Sequence, residues 1–326
     1  MKLKYLMMAY MAMVSSTALF ADVAIPYGEG SGKVDFFNYK KYPRLEDPCP
    51  TGPLSFRVVG DKIWVSDSVG NKLMQYDNTG KFISEFSVLP KGSKPYTLNK
   101  MNLPLLNNRI EDFAPVLDEN GDLVAWWILD ICTNKLVEFS LDGKKLGEIT
   151  NPDFRQVFRV EVGKGGHIFV ADKIARAIFT YDSDGNLLNK QAWEWSGMAV
   201  SGKDDVLYRL MWDNEAHRNI LVATNIEGKV VFTKMLEVEM FNPILWWVNE
   251  SKGECVISYS PAEFKGNFYV VRVGFDGKVR GSGEFLAPAV MNRYIETSDY
   301  NSVYIGKCNY LNAPEGKFEI VPYKLP

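Results

Sequence analysis

His167 and His217 are the only imidazoles in the 326-residue sequence. That scarcity leaves little for a histidine-rich metal centre or for Ser/His and Cys/His nucleophile pairs. His167 opens a strand and reads as a packed or solvated structural residue. His217 sits in the loop WDNEAHRN among Asp213, Glu215 and Arg218 and reads as a solvated one. The groups that could meet a ligand are instead Arg109, Glu111, Asp112, Arg155, Gln156, Asn242, Asn292 and Arg293, with Glu194, Trp195 and Trp212 alongside. A ring of such groups can hydrogen-bond a polar ligand while Trp195 and Trp212 stack on a sugar or an aromatic group. An oxygen-ligated cation such as calcium would draw on Glu111, Asn242 or Asn292. Charged residues at loop ends are also commonly solvated or paired with one another.

What brings these residues together is a repeat. The first clear unit runs Leu54 to Val88 and reads SFRVV, DKIWVSD, KLMQYD and KFISEF, four short strands with an aspartate closing the second and a glycine turn before the fourth. The pattern recurs in DFAPVLDENGDLVAWWILD with NKLVEFSLDGKKLGEI, and in VFRVEVGKGGHIFVAD with RAIFTYDSDGNLLNKQ. Weaker copies follow in GMAVSGKDDVLYRLMW with ILVATNIEGKVVFTK, and in ILWWVNESKGECVISYS with NFYVVRVGFDGKVRGS. Alternating or continuous apolar runs of this length suit half-buried and fully buried strands, and Asp-Gly, Glu-Gly and Thr-Gly pairs suit tight hairpins. Each unit is a four-stranded meander that needs a neighbour on both faces, which radial packing supplies. The pairs Trp126-Trp127 and Trp246-Trp247 lie inside strands, so one ring of each pair is expected on each side of a blade.

The turn glycines Gly80, Gly143, Gly185, Gly228 and Gly277 are 63, 42, 43 and 49 residues apart. The long interval holds a Pro, Asn and Lys-rich stretch, 89–108, which reads as a loop insertion. A sixth unit, NRYIETSDYNSVYIGKC with GKFEIVPYKL, supplies three strands and lacks a fourth. Gly32-Lys33-Val34 matches Gly228-Lys229-Val230 and Gly277-Lys278-Val279, and lies 48 residues before Gly80. The spacing predicts that Lys33 to Asn38 pairs with Lys317 to Tyr323 and closes a six-bladed ring. Such closure removes exposed sheet edges. A seventh blade has no room, since the insertion is about half a unit.

The stretches KIWVSDSVGNKLMQYDNTGKF and HIFVADKIARAIFTYDSDGNL resemble NHL-type repeats of six-bladed β-propellers. That resemblance implies one all-β domain over residues 22–326. It also implies one mouth of the central channel, where the loops entering each innermost strand and those joining second to third strands meet; the polar residues named above fall there. Propeller hydrolases of the gluconolactonase type are similar near Gly52-Pro53, but carry a metal-binding glutamate just before that pair where this chain has Thr51. Propeller lyases that depend on several histidines fit less well still.

Residues 1–21 have the pattern of a secretory signal peptide: Lys2 and Lys4, an uncharged run from Leu6 to Phe20, and Ala21 before Asp22. Cleavage after Ala21 would leave an exported, periplasmic or extracellular chain; retention as an N-terminal anchor is the alternative. In such a compartment four cysteines permit disulfides. Cys49 with Cys308 would reinforce the ring closure, Cys49 with Cys132 competes, and an unbridged chain is the third arrangement. The 37 basic and 40 acidic residues nearly balance, giving a net charge of −3 and no basic stripe, so nucleic acid is an improbable partner. Two readings of function follow. The preferred one is a non-catalytic, monomeric binding or scaffold propeller that recognises a protein or a glycan at the mouth. The alternative is a cation-dependent hydrolase or lactonase.

Overall fold

A computed structural model describes residues 21–43, 50–101, 103–202, 204–261, 266–288, 290–297 and 302–325. The signal-peptide reading therefore falls almost wholly outside the described residues, and so does Cys49 with its proposed bridges. Among the described residues there is no helix, and hence none long and apolar enough to cross a membrane.

Strands are numbered in chain order. After β1 (Val23–Pro26), the first blade contains β2 (Phe56–Val59), β3 (Lys62–Asp67), β4 (Lys72–Asp77) and β5 (Phe82–Ser87). The insertion carries a small hairpin, β6 (Tyr96–Leu98) and β7 (Pro104–Leu106), where the sequence reads as plain loop. Blade 2 is β8 (Ile110–Leu117), β9 (Leu123–Asp130), β10 (Lys135–Ser140) and β11 (Lys145–Ile149). Blade 3 is β12 (Val157–Val162), β13 (Ile168–Asp172), β14 (Ala177–Tyr181) and β15 (Leu187–Ala192). Blade 4 is β16 (Ala199–Ser201), β17 (Val206–Asp213), β18 (Arg218–Thr224) and β19 (Val230–Met235). Blade 5 is β20 (Phe241–Asn249), β21 (Glu254–Ser260), β22 (Asn267–Gly274) and β23 (Val279–Leu286). Blade 6 is β24 (Ile295–Thr297), β25 (Ser302–Lys307), β26 (Lys317–Lys324) and β1, all antiparallel neighbours.

The chain is thus a six-bladed β-propeller closed by its N-terminal strand. The core divides accordingly: six apolar clusters, one at each seam between blades, with no common centre. Strand alternation explains this, because successive side chains of a blade face opposite neighbours. Trp126 packs at the seam of blades 1 and 2, and Trp127 at that of blades 2 and 3. The second pair departs from the expectation. A bulge between Leu245 and Trp247 resets the alternation, and Trp246 and Trp247 both pack at the seam of blades 5 and 6.

The closing strand also needs correction. Val23–Pro26 pairs with Lys317–Ile320, whereas 33–38 forms no long strand. Val34 bridges back to Tyr27, Phe37 bridges to Thr51, and Asn38 donates its side-chain amide to the carbonyls of Tyr310 and Ala313. The stretch is a clasp across the seam of blades 6 and 1, with Val34 and Phe36 in its core. The turn glycines show independently which strand closes the ring. A Cβ on Gly143 would meet Phe86 of β5 at 2.8 Å, and one on Gly228 would meet Asn189 of β15 at 2.5 Å, so each turn abuts the outermost strand of the preceding blade. At Gly80 the neighbour is Val23 of β1, at 3.4 Å.

Val23 and Ile25 are 0% and 1% exposed. Truncating Ile25 to alanine is expected to cost about 2–4 kcal/mol of unfolding free energy in urea titration. A loss below about 0.5 kcal/mol, the level of an ordinary surface change, would contradict the assignment of β1 as a blade strand.

Candidate functional site

The channel is lined by the six innermost strands, and the charges on them are not free. Arg57 of β2 ion-pairs with Glu161 of β12 at 3.1 Å and with Glu296 of β24 at 3.2 Å, and lies 3.7 Å from Asp112 of β8. Arg293, fully buried just before β24, forks onto Asp112 at 3.0 and 2.9 Å and reaches Glu161 at 2.6 Å and Glu296 at 3.1 Å. Burial pushes the Asp112 carboxyl up, but Arg293 and Arg57 overcome that and hold it below the usual carboxylate range. Burial would likewise pull Arg293 down, and the three carboxylates raise it instead. Glu296 remains raised by burial despite both arginines. Arg159 places its guanidinium carbon 4.2 Å from the centroid of the Trp246 ring and donates to the carbonyl of Asn292. Three guanidinium groups thus face three carboxylates, and the arrangement bridges blades 6, 1, 2 and 3.

Asp112, Asn292 and Arg293, placed by the repeat at the mouth, are therefore parts of this buried network. Asn292 donates to the carbonyls of Glu111 and Phe158. Glu111 is buried and pairs with the half-exposed Arg109 at 3.0 Å; burial raises its carboxyl, and Arg109 opposes the rise. Arg155 and Gln156 donate their backbone N–H groups to Asp172 at 2.8 Å. This is the work of the aspartate that closes the second strand in blades 1 to 4, with blade 1 the exception. Asp130 accepts in the same way from Arg109 N–H, whereas Asp213 accepts from Glu215 and Ala216 of the loop that follows its own strand. Cys132 donates its N–H to Asp130, Cys255 is buried in β21, and Cys308 packs beside the blade 6 core. Away from the mouth, His167 bonds Asp205 through Nδ1 at 2.8 Å and ties blade 3 to blade 4.

Asp67, the corresponding residue of blade 1, is an exception. The strand register puts Pro53 where blades 2 and 3 have Arg109 and Gln156, and proline has no N–H to give. Asp67 Oδ1 accepts from Gly70, Oδ2 has no hydrogen bond of normal length, and burial pushes the carboxyl up to about 6. Neighbouring Gly52 is fixed by packing, since a Cβ there would meet the Tyr310 ring at 2.4 Å. Asp67 lines a cleft of about 750 Å³ between the 29–35 segment, blade 1 and the insertion hairpin.

A second cleft, of about 820 Å³, opens at the mouth between blades 4 and 5. It gathers Glu194, Trp195, Trp212 and Asn242 from the sequence reading and adds Phe241, Tyr259 and Glu239. Its construction is local and specific. Gly197 has a positive φ and presses against blade 5 so closely that a Cβ would meet the Leu245 carbonyl at 2.2 Å. Just before it, Trp195 takes φ +63°, a left-handed conformation rare for a bulky residue, and Asn242 takes φ +48° across the cleft. Trp195 Nε1 donates to the Lys173 carbonyl at 2.8 Å, and Glu194 accepts the Trp212 N–H at 2.9 Å. Trp195, Trp212 and Phe241 remain 54%, 41% and 58% exposed. The left-handed backbone that holds the Trp195 ring open to solvent costs on the order of 1–3 kcal/mol, which points to use rather than to stability.

Glu111 and Asn292 therefore belong to the channel wall and Asn242 to the cleft. Among the described residues, no group of three or more His, Cys, Asp or Glu side chains is arranged to hold a metal ion. No family model and no curated protein matches the chain. Solved structures do. The chain is similar to a luciferin-regenerating enzyme (TM-score 0.51, 8% identity, 83% of this chain and 91% of that one). It is similar to hydrazine synthase from Kuenenia stuttgartiensis (TM-score 0.50, 11% identity, 81% and 75%) and to virginiamycin B lyase from Staphylococcus aureus (TM-score 0.46, 16% identity, 84% and 84%). At such identities the likeness is one of propeller fold alone.

Two outcomes test the electrostatic account. Arg293→Met leaves buried carboxylates short of a partner, and is expected to cost about 3–5 kcal/mol in urea unfolding; a loss under about 1 kcal/mol would contradict it. Asp67 binds its proton more tightly folded than unfolded, so its contribution to stability falls as pH rises from about 4 to 6 and stays low above that range. Asp67→Asn is expected to gain on the order of 1–3 kcal/mol relative to wild type between pH 4 and pH 7.5; a pH-independent difference would refute it.

Proposed function

We propose that this chain is an exported, non-catalytic binding propeller of NHL-like character, which recognises a protein or glycan ligand at the channel mouth through the cleft between blades 4 and 5. The observation that carries the reading is the cluster of exposed Trp195, Trp212 and Phe241 rings around one cleft, with Trp195 and Asn242 in its walls held in left-handed backbone. Flat rings on a rigid frame lose little entropy on binding and bury much apolar area, which is how recognition surfaces gain affinity.

The channel chemistry supports binding over catalysis. A general base needs an uncommitted acceptor within reach of substrate, and Asp112, Glu161 and Glu296 are committed to Arg57 and Arg293. The export element of the proposal rests on the composition of residues 1–21.

Intrinsic fluorescence reads the proposal directly, because Trp195 and Trp212 are solvent-accessible. In a screen of oligosaccharides and peptides, a ligand that quenches this emission is expected to bind Trp195→Ala and Trp212→Ala at least about tenfold more weakly, a loss of about 1.4 kcal/mol or more. Undiminished binding to both variants would place recognition elsewhere.

A further inference from the structure

We infer that the cleft between blades 4 and 5 takes a cationic side chain, an arginine or lysine presented by a peptide segment of a protein partner. The inference rests on the binding reading of that cleft and names the chemistry of its ligand. The lining contains two carboxylates, Glu194 and Glu239, and no lysine, arginine or histidine. Glu239 makes no hydrogen bond or ion pair among the described residues, whereas Glu194 is anchored by the Trp212 N–H and shares its field with Arg209 below it. The same cleft is lined by the rings of Trp195, Trp212, Phe241 and Tyr259, whose π clouds are negative. A carboxylate beside several ring faces attracts a cation twice over, and a guanidinium can stack and donate hydrogen bonds in the same pose.

The molecule already holds its own cations in this way. Lys41 lies 5.4, 5.9 and 6.0 Å from the Phe36, Tyr42 and Tyr96 rings while pairing with Asp35 and Glu29. Arg159 sits over Trp246, and Lys173 lies 3.4 Å over Phe158 and 5.6 Å from Trp195. In the cleft, Trp195 already has Lys173 beside it, whereas Trp212, Phe241 and Glu239 stand with no lysine or arginine in the lining. A neutral glycan fits the lining less well. Three groups that could donate to sugar hydroxyls, Ser196 Oγ, Asn219 Nδ2 and Trp195 Nε1, are spent on the carbonyls of Leu210, Met240 and Lys173.

The test uses the full propeller and capped tripeptides with a central arginine, lysine or citrulline, read by tryptophan fluorescence, with a panel of neutral oligosaccharides in parallel. The arginine and lysine peptides are expected to bind at least about tenfold more tightly than the citrulline peptide and to weaken as salt rises. Glu239→Gln should cut that preference several-fold while leaving citrulline binding and thermal stability unchanged. Equal binding of arginine and citrulline peptides would overturn the inference. Oligosaccharide binding that is lost in Trp212→Ala, without peptide binding, would overturn it while leaving the binding reading intact. No binding of any probe, or peptide binding unaffected by Trp212→Ala, would overturn both.

Discussion

The ion network in the channel is the constraint on which the ring depends. Arg57, Arg159 and Arg293 face Asp112, Glu161 and Glu296, and five of these six groups join in direct ion pairs that cross from blade to blade. Each buried charge would cost several kcal/mol alone, so the groups are tolerable only as a set. That requirement fixes the relative positions of blades 6, 1, 2 and 3 more strictly than apolar seams could, because ion-pair geometry allows little sliding. The same commitment keeps Asp112, Glu161 and Glu296 paired with Arg57 and Arg293.

An asymmetry follows. Among the described residues, the ion pairs of this network come from blades 6, 1, 2 and 3, and blade 5 joins through the Trp246 ring under Arg159. Blade 4 has an innermost strand of three residues, and its chain instead approaches blade 5 through Gly197 and Leu245. That close contact sends the preceding Glu194-Trp195-Ser196 segment outward over the mouth, so the aromatic cleft opens on the side of the ring that the charges do not bind together. The buried charges are concentrated on one half of the mouth and the exposed rings on the other.

Much of this was legible in the residues. The strand-closing aspartate and the turn glycine repeat because each has a fixed structural role. Asp130 and Asp172 gather loop N–H groups, and Gly143 and Gly228 clear the outer strand of the blade before. The closing strand was misplaced because Val23–Pro26 is short and directly follows residues 1–21, which read as a separate targeting segment, while Gly32-Lys33-Val34 imitates a turn signature at the right spacing. Trp195, Trp212 and Asn242, placed at the mouth by repeat position, lie together in the cleft between blades 4 and 5. Asp112, Asn292 and Arg293 were located but read as mouth groups, since sequence spacing gives depth along a strand poorly. Arg57, Arg159 and Glu161 were missed, although SFRVV and VFRVEV each place a charge inside an apolar strand. A charge there must find a buried partner, and that was the available signal.

Native-state hydrogen exchange on wild type and Asp112→Asn tests the central claim most directly. If the network holds the ring, removing one charge on β8 lowers amide protection together in β2, β8, β12 and β24, strands from four different blades. Loss of protection confined to β8 and its blade would show that the apolar seams alone hold the propeller, and that the ion pairs are passengers.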